Sequence, residues 1–135
     1  RPGGVAGALS FVGRVMKRRA AVFVVSDFDV GDFEGELRVA QRRHDVHAFV
    51  VRDPVEDTLF DGGIVPMRDA ESGRIAWVRT DRAFLARFRK AAEERAAAVD
   101  QVFKRLRVPF TRFPTDRDYN RALAGHFARL KGKAL

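Results

Sequence analysis

The chain has 135 residues, no cysteine and a formal net charge of +8, from 26 Lys and Arg against 18 Asp and Glu. That length makes one domain able to bury its own core. The lack of cysteine excludes a disulfide framework, a zinc–thiolate site and a thiol nucleophile. No apolar run approaches the roughly 18 residues of a membrane span, and nothing resembles a signal peptide.

Val5, Ala8, Leu9, Val12 and Met16 recur at helical spacing, which predicts an amphipathic helix from about 4 to 18. Ala21 to Ser26 follows as an apolar run rich in valine, the pattern of a strand buried on both faces of a parallel sheet. It ends in Asp27 and Asp29. Ligands gather beyond the carboxyl ends of such strands, so this is the candidate ligand edge. A second helix starts near Asp32 and buries Phe33, Leu37 and Ala40. The next strand runs over 46–51 and Pro54 stops it, so the spacing implies a right-handed parallel crossover.

Beyond Asp53 the pattern changes. Residues 64–79 read as an inserted β-hairpin, turning over Asp69-Ala70-Glu71-Ser72-Gly73. A long helix over about 81–106 carries Leu85, Phe88, Ala92, Val99, Phe103 and Leu106 on one stripe. A last strand over 108–113 precedes a final helix, with Thr115 and Asp118 placed as a capping box and Tyr119, Leu123, Phe127 and Leu130 on its buried face. The fold class is α/β, with three mainly parallel strands, flanking helices and the hairpin, all one domain over 1–135.

The charges segregate. Lys17-Arg18-Arg19, Arg42-Arg43, Lys104-Arg105-Arg107 and Arg129 with Lys131 and Lys133 fall at the C-terminal ends of predicted helices, where cations offset the helix dipole. Asp27, Asp29, Asp32, Asp53, Glu56, Asp57, Asp116 and Asp118 fall at strand ends and helix starts. The prediction is an acidic ligand edge with a basic edge opposite. The phenylalanines sit mostly at core positions, so a base-stacking nucleic-acid surface is not supported.

Several pieces together resemble a known family. They are Ala6-Gly7-Ala8-Leu9-Ser10-Phe11, Lys17-Arg18-Arg19 running into Val22-Phe23-Val24-Val25-Ser26-Asp27-Phe28, and Arg43-His44-Asp45-Val46. Asp53-Pro54-Val55-Glu56, Asp61-Gly62-Gly63, Asp69-Ala70-Glu71-Ser72-Gly73 and Thr115-Asp116-Arg117-Asp118-Tyr119-Asn120-Arg121-Ala122-Leu123 complete the match. In this order they resemble the C-terminal half of a von Willebrand factor A-like domain, of the bacterial domain-of-unknown-function fifty-eight family. Members of that family are typically encoded beside MoxR-type AAA ATPases.

The resemblance implies a Rossmann-like half domain and a non-enzymatic adaptor to such an ATPase in protein assembly or maturation. It also implies a metal-ion-dependent adhesion site for magnesium or manganese, to which Asp27 would contribute one ligand, with Ser26, Asp29 and Asp53 near the same edge. This chain lacks the Asp-x-Ser-x-Ser motif of that site, and Gly3 stands where the family often has a threonine. The site is therefore incomplete here, and Asp27 is a ligand only if an upstream half is present. The family's strand order places its first strand beside strand 21–26; without that upstream half, the strand is expected to be an exposed edge, open to a homodimer.

Two other readings compete. Asp27-Phe28-Asp29 resembles the Asp-x-Asp of magnesium-dependent phosphohydrolases, with the first aspartate as nucleophile and the second as general acid. The net charge alone suggests a basic nucleic-acid module. His44, His47 and His126 lack metal-ligand spacing, so His44 is expected at a helix C-terminus and His47 on one face of a strand. Trp77 is expected to contact a partner or to cover the sheet edge. Arg1, in place of a methionine, suggests an excerpt from a longer protein. The chain is expected in the cytoplasm, tethered to a membrane only through sequence outside it.

Overall fold

The computed structural model describes residues 4–29, 31–54, 61–69 and 71–133. The element order is α1 (Val5–Val15), β1 (Ala21–Ser26), α2 (Glu34–Arg43), β2 (Asp45–Arg52), β3 (Gly63–Arg68), β4 (Ile75–Thr80), α3 (Arg82–Leu106), β5 (Phe110–Pro114) and α4 (Tyr119–Lys133). Strands β1, β2 and β5 form one parallel sheet in that order, and β3 and β4 form a separate antiparallel hairpin. This is the expected α/β architecture. Every expected helix and strand is present, displaced by a few residues at some ends.

Side-chain alternation splits the sheet into two unlike faces. On one, Val22, Val24, Val46, Ala48, Val50 and Phe110 meet Leu9 of α1, Leu37 and Ala40 of α2, and Phe103 of α3. This is the main core, and Leu37, Ala48 and Phe103 are fully enclosed within it. The other face carries Phe23, His47, Phe49 and Phe113, with His126 and Phe127 of α4 packed against them.

Strand β1 corrects the expectation of burial on both faces. Phe23 is 45% exposed and Val25 63% exposed, while β2 holds the buried centre. The reason is position: among the described residues β1 lies at the edge of the sheet, and α4 packs mainly over β5. Its apolar run is that of a central strand, although no described strand pairs with it on one side.

Three helix details also differ. Helix α1 ends at Val15, so Lys17-Arg18-Arg19 lies in the connection to β1 rather than in a last helical turn. Helix α3 stops at Arg107, which adopts a left-handed conformation, φ 54°, with the Val108 amide donating to the Phe103 carbonyl at 2.9 Å. That turn delays β5 to Phe110. Helix α4 starts at Tyr119, where Asp118 accepts from the Asn120 amide at 3.0 Å, and Thr115 instead follows β5 directly. His126 is the buried residue of α4 among those described, while Tyr119 is largely exposed and Phe127 partly so. Leu123 and Leu130 of the expected stripe are half-buried, and Phe127 reaches the rings of Phe23 and His47 from the rim of the contact.

The hairpin closes through Gly73, at φ 69°, where only glycine is unstrained. Asp69 accepts from the Glu71 and Ser72 amides at 2.8 and 3.1 Å, and these bonds hold its carboxyl below the usual carboxylate range. Trp77 on β4 is 72% exposed and does not cover the edge of the main sheet.

Candidate functional site at the carboxyl edge of the sheet

Parallel pairing brings the C-terminal ends of β1, β2 and β5 to one edge. Asp27 and Asp29 follow β1, Asp53 follows β2, and Asp116 and Asp118 follow β5. Arg42, Arg43, Lys104 and Arg105 close helices that lead into the opposite edge. The expected segregation of charge therefore follows from strand direction.

A cavity of about 260 Å³ opens at this edge between the segment after β1, the ends of β2 and β5, and α3. Asp27, Asp29, Asp32 and Glu34 contribute carboxylates to its wall, and Arg52, Arg95 and Arg112 contribute guanidinium groups. The edge is therefore amphoteric rather than simply acidic. Strand β5 and helix α3 supply Arg112 and Arg95 from positions that linear charge clustering did not single out. Ser26 and Asp53 do not line this cavity, although both lie at strand ends beside it. Glu56, Asp57 and Gly3 lie outside the described residues.

The Asp27–Asp29 segment is a tight local structure. The Ser26 hydroxyl donates to Asp27 Oδ1 at 3.3 Å and accepts from the Phe28 amide at 3.1 Å. The Asp29 amide donates to the same Asp27 Oδ1 at 3.2 Å. Between them Phe28 sits at φ 55°, a region costly for any residue with a Cβ. Its ring is buried against Phe33 at 5.2 Å and edge-on to Phe103 at 5.0 Å. Aromatic burial holds the strained turn in place, and the turn points two carboxylates away from the core.

One Asp27 oxygen is thus engaged in shaping the turn. Among the described residues no three carboxylates or imidazoles converge to hold a metal ion. The described residues do not by themselves supply a ligand set for a divalent cation. Arg112 forms an ion pair with Asp100 and donates to the Ala96 carbonyl, while its Nη1 is buried without a hydrogen-bond partner.

His44 and His47 lie where expected, at a helix C-terminus and on one face of a strand, and the packing adds a pairing that spacing did not suggest. His44 is the C-cap of α2, and its Nδ1 accepts from the Ala20 amide at 3.3 Å. His47 and His126 come together, with Nδ1 of the first 2.9 Å from Nε2 of the second. His126 Nδ1 lies 2.8 Å from the Thr111 hydroxyl, which also accepts from Arg129 at 2.5 Å. Burial lowers the pKa of both rings; Asp45 opposes the shift at His47, whereas His47 and Arg129 add to it at His126. Neutral rings can satisfy this chain of bonds, because each contact then has one donor and one acceptor. The two residues are far apart in the sequence, and only the packing of α4 on the sheet pairs them.

Together the fold and this edge define an α/β protein with a parallel sheet whose charged side chains gather beyond the strand ends. The chain belongs to the family described as "Protein of unknown function DUF58", whose model matches residues 1–98. It is 34% identical over 124 residues to the uncharacterized protein Rv1480 of Mycobacterium tuberculosis, covering 87% of this chain and 39% of that protein. It is 32% identical over 119 residues to the uncharacterized protein MAV169 of Mycobacterium avium, covering 87% of this chain and 70% of that protein. The chain thus spans well under half the length of the first of these relatives. Among solved structures it is similar to the conserved hypothetical protein BatB from Bacteroides thetaiotaomicron. The TM-score is 0.46 at 14% identity, covering 98% of this chain and 60% of that one. No helix among the described residues is long and apolar enough to cross a membrane.

Proposed function

We propose that this chain is a non-enzymatic protein-interaction module of von Willebrand factor A-like type. It acts as an adaptor to a MoxR-type AAA ATPase in the assembly or maturation of other proteins. The observation that carries this reading is the Asp27-Phe28-Asp29 turn. It is a strained, aromatic-anchored segment that presents carboxylates at the carboxyl edge of a parallel sheet. Rigid presentation of charge at a sheet edge suits recognition of a protein surface. The mixture of Asp29 and Asp32 with Arg52 and Arg95 suits a partner surface bearing both signs of charge.

Asp27 is the central contact residue, with Asp29 beside it and Ser26 fixing the turn. A magnesium or manganese ion at Asp27 enters this reading only for a longer parent chain that brings the missing oxygen ligands. The edge of β1 that no described strand pairs is a second contact surface for this chain, open to a homodimer. The test is capture of a MoxR-type AAA ATPase on immobilised chain. Binding is expected with the wild type and is expected to fall at least tenfold with Asp27→Ala combined with Asp29→Ala. Equal capture by the double variant would remove the edge from the account.

A further inference from the structure

The basic edge of the sheet, opposite the carboxyl ends of the strands, has a cleft of its own. Where α3 ends, β5 begins and α4 passes beside them, an opening of about 600 Å³ is left. It lies wholly within residues 103–130, across β2 from β1. Lys104, Arg107 and Arg129 line it with Pro109, Phe110 and Leu130, and no described carboxylate does. His126 also borders it, but both its ring nitrogens are engaged, with His47 and Thr111.

The chain leaves these cations unneutralised. Arg105, which lies between two of them in sequence, is drawn off to Glu34. Among the described residues no Asp or Glu pairs with Lys104, Arg107 or Arg129. Arg129 is held by its hydrogen bond to the Thr111 hydroxyl. Arg107 stands at φ 54° at the end of α3, a position where glycine is the unstrained residue. The chain thus keeps a strained backbone together with a cationic side chain in the cleft. Offsetting the helix dipole accounts for each cation singly, but not for their convergence from two helices on one opening. Each helix end carries roughly half a negative charge, so the three cations leave an excess of about two positive charges.

We propose that this cleft binds a small organic phosphate. The phosphate group lies among Lys104, Arg107 and Arg129, and its apolar body lies against Pro109, Phe110 and Leu130. A phosphate monoester carries about −1.5 to −2 charge at neutral pH, which matches the excess. A single carboxylate would leave half of it in place. Arg107 and Arg129 supply forked donors suited to phosphate oxygens, and Lys104 supplies a point charge. The half-buried apolar wall favours an ester over the bare ion, and the volume is that of a small-molecule site. This site is separate from the Asp27 edge and does not rest on the adaptor reading.

The test is calorimetric titration of the full chain at low salt with phenyl phosphate, inorganic phosphate and benzoate. Phenyl phosphate is expected to saturate the chain with a Kd of about 1 mM or tighter. Inorganic phosphate, without the apolar body, and benzoate, with one charge, are each expected to bind several-fold more weakly. Arg107→Gly is expected to weaken phenyl phosphate binding on the order of tenfold. Its thermal midpoint should stay at or above that of the wild type, because glycine is unstrained at that φ, so lost binding is not lost folding. Lys90→Ala removes an exposed cation of α3 outside the cleft and is expected to bind as the wild type does. No saturation of the wild type at about 10 mM phenyl phosphate would overturn the proposal. So would undiminished binding by Arg107→Gly, or equal losses in Arg107→Gly and Lys90→Ala, which would reduce the attraction to net charge. Benzoate binding as tightly as phenyl phosphate would overturn the assignment to a phosphate.

Discussion

Phe28 is the residue on which the geometry of the carboxyl edge depends, and a pair of substitutions there separates its two roles. Its ring is 3% exposed and touches Phe33 and Phe103, so truncation to alanine removes a buried aromatic at about 3–5 kcal/mol. Its backbone at φ 55° adds a penalty of roughly 1–2 kcal/mol that alanine retains and glycine does not. Glycine loses roughly 0.5–1 kcal/mol in extra unfolded-state entropy. The difference leaves Phe28→Gly more stable than Phe28→Ala by about 0.5–1 kcal/mol, the reverse of the usual order in strands and helices. Urea denaturation followed by far-ultraviolet circular dichroism measures both. If Phe28→Ala proves the more stable, the left-handed turn is not the native conformation, and the presentation of Asp27 and Asp29 must be redrawn.

Two further outcomes test the packing. His47 and His126 both titrate below their ordinary value of 6.5 in the folded chain, so the unfolded chain takes up their protons first as pH falls. Their contribution is therefore complete above about pH 6.5 and is lost as pH drops through the lowered folded values; thermal melts from pH 7.5 to 5 should show this, with a flatter profile for His126→Gln. Asp81 caps α3 by accepting from the Phe84 amide at 2.8 Å, so Asp81→Ala should cost about 1 kcal/mol in the same urea assay, and an unchanged midpoint would deny the cap.

How much was legible in the sequence depended on whether a signal was local. Leu37 and Phe103 stood at helical spacing, and both are enclosed in the core. Gly73 marked its turn correctly, since the need for positive φ is a property of a single residue. Ala21 to Ser26 announced a strand, yet residue type could not say that one side lacks a neighbour. That is a matter of sheet order rather than pattern. The carboxylates of the edge were legible because strand ends in a parallel sheet fall together. Arg52, Arg95 and Arg112 were not, because they converge from two strands and the middle of a long helix. The His47–His126 pair left no trace in spacing. On α4, His126 is the most deeply buried residue described, which its ring tolerates because both nitrogens have hydrogen-bond partners.

The most direct test of the central reading is a titration of the chain with a MoxR-type AAA ATPase by isothermal calorimetry, alone and as the Asp27→Ala, Asp29→Ala variant. Saturable binding that weakens at least tenfold in the variant is the predicted result. The absence of binding by the wild type, or identical isotherms for the two proteins, would contradict the assignment of this edge as the adaptor surface.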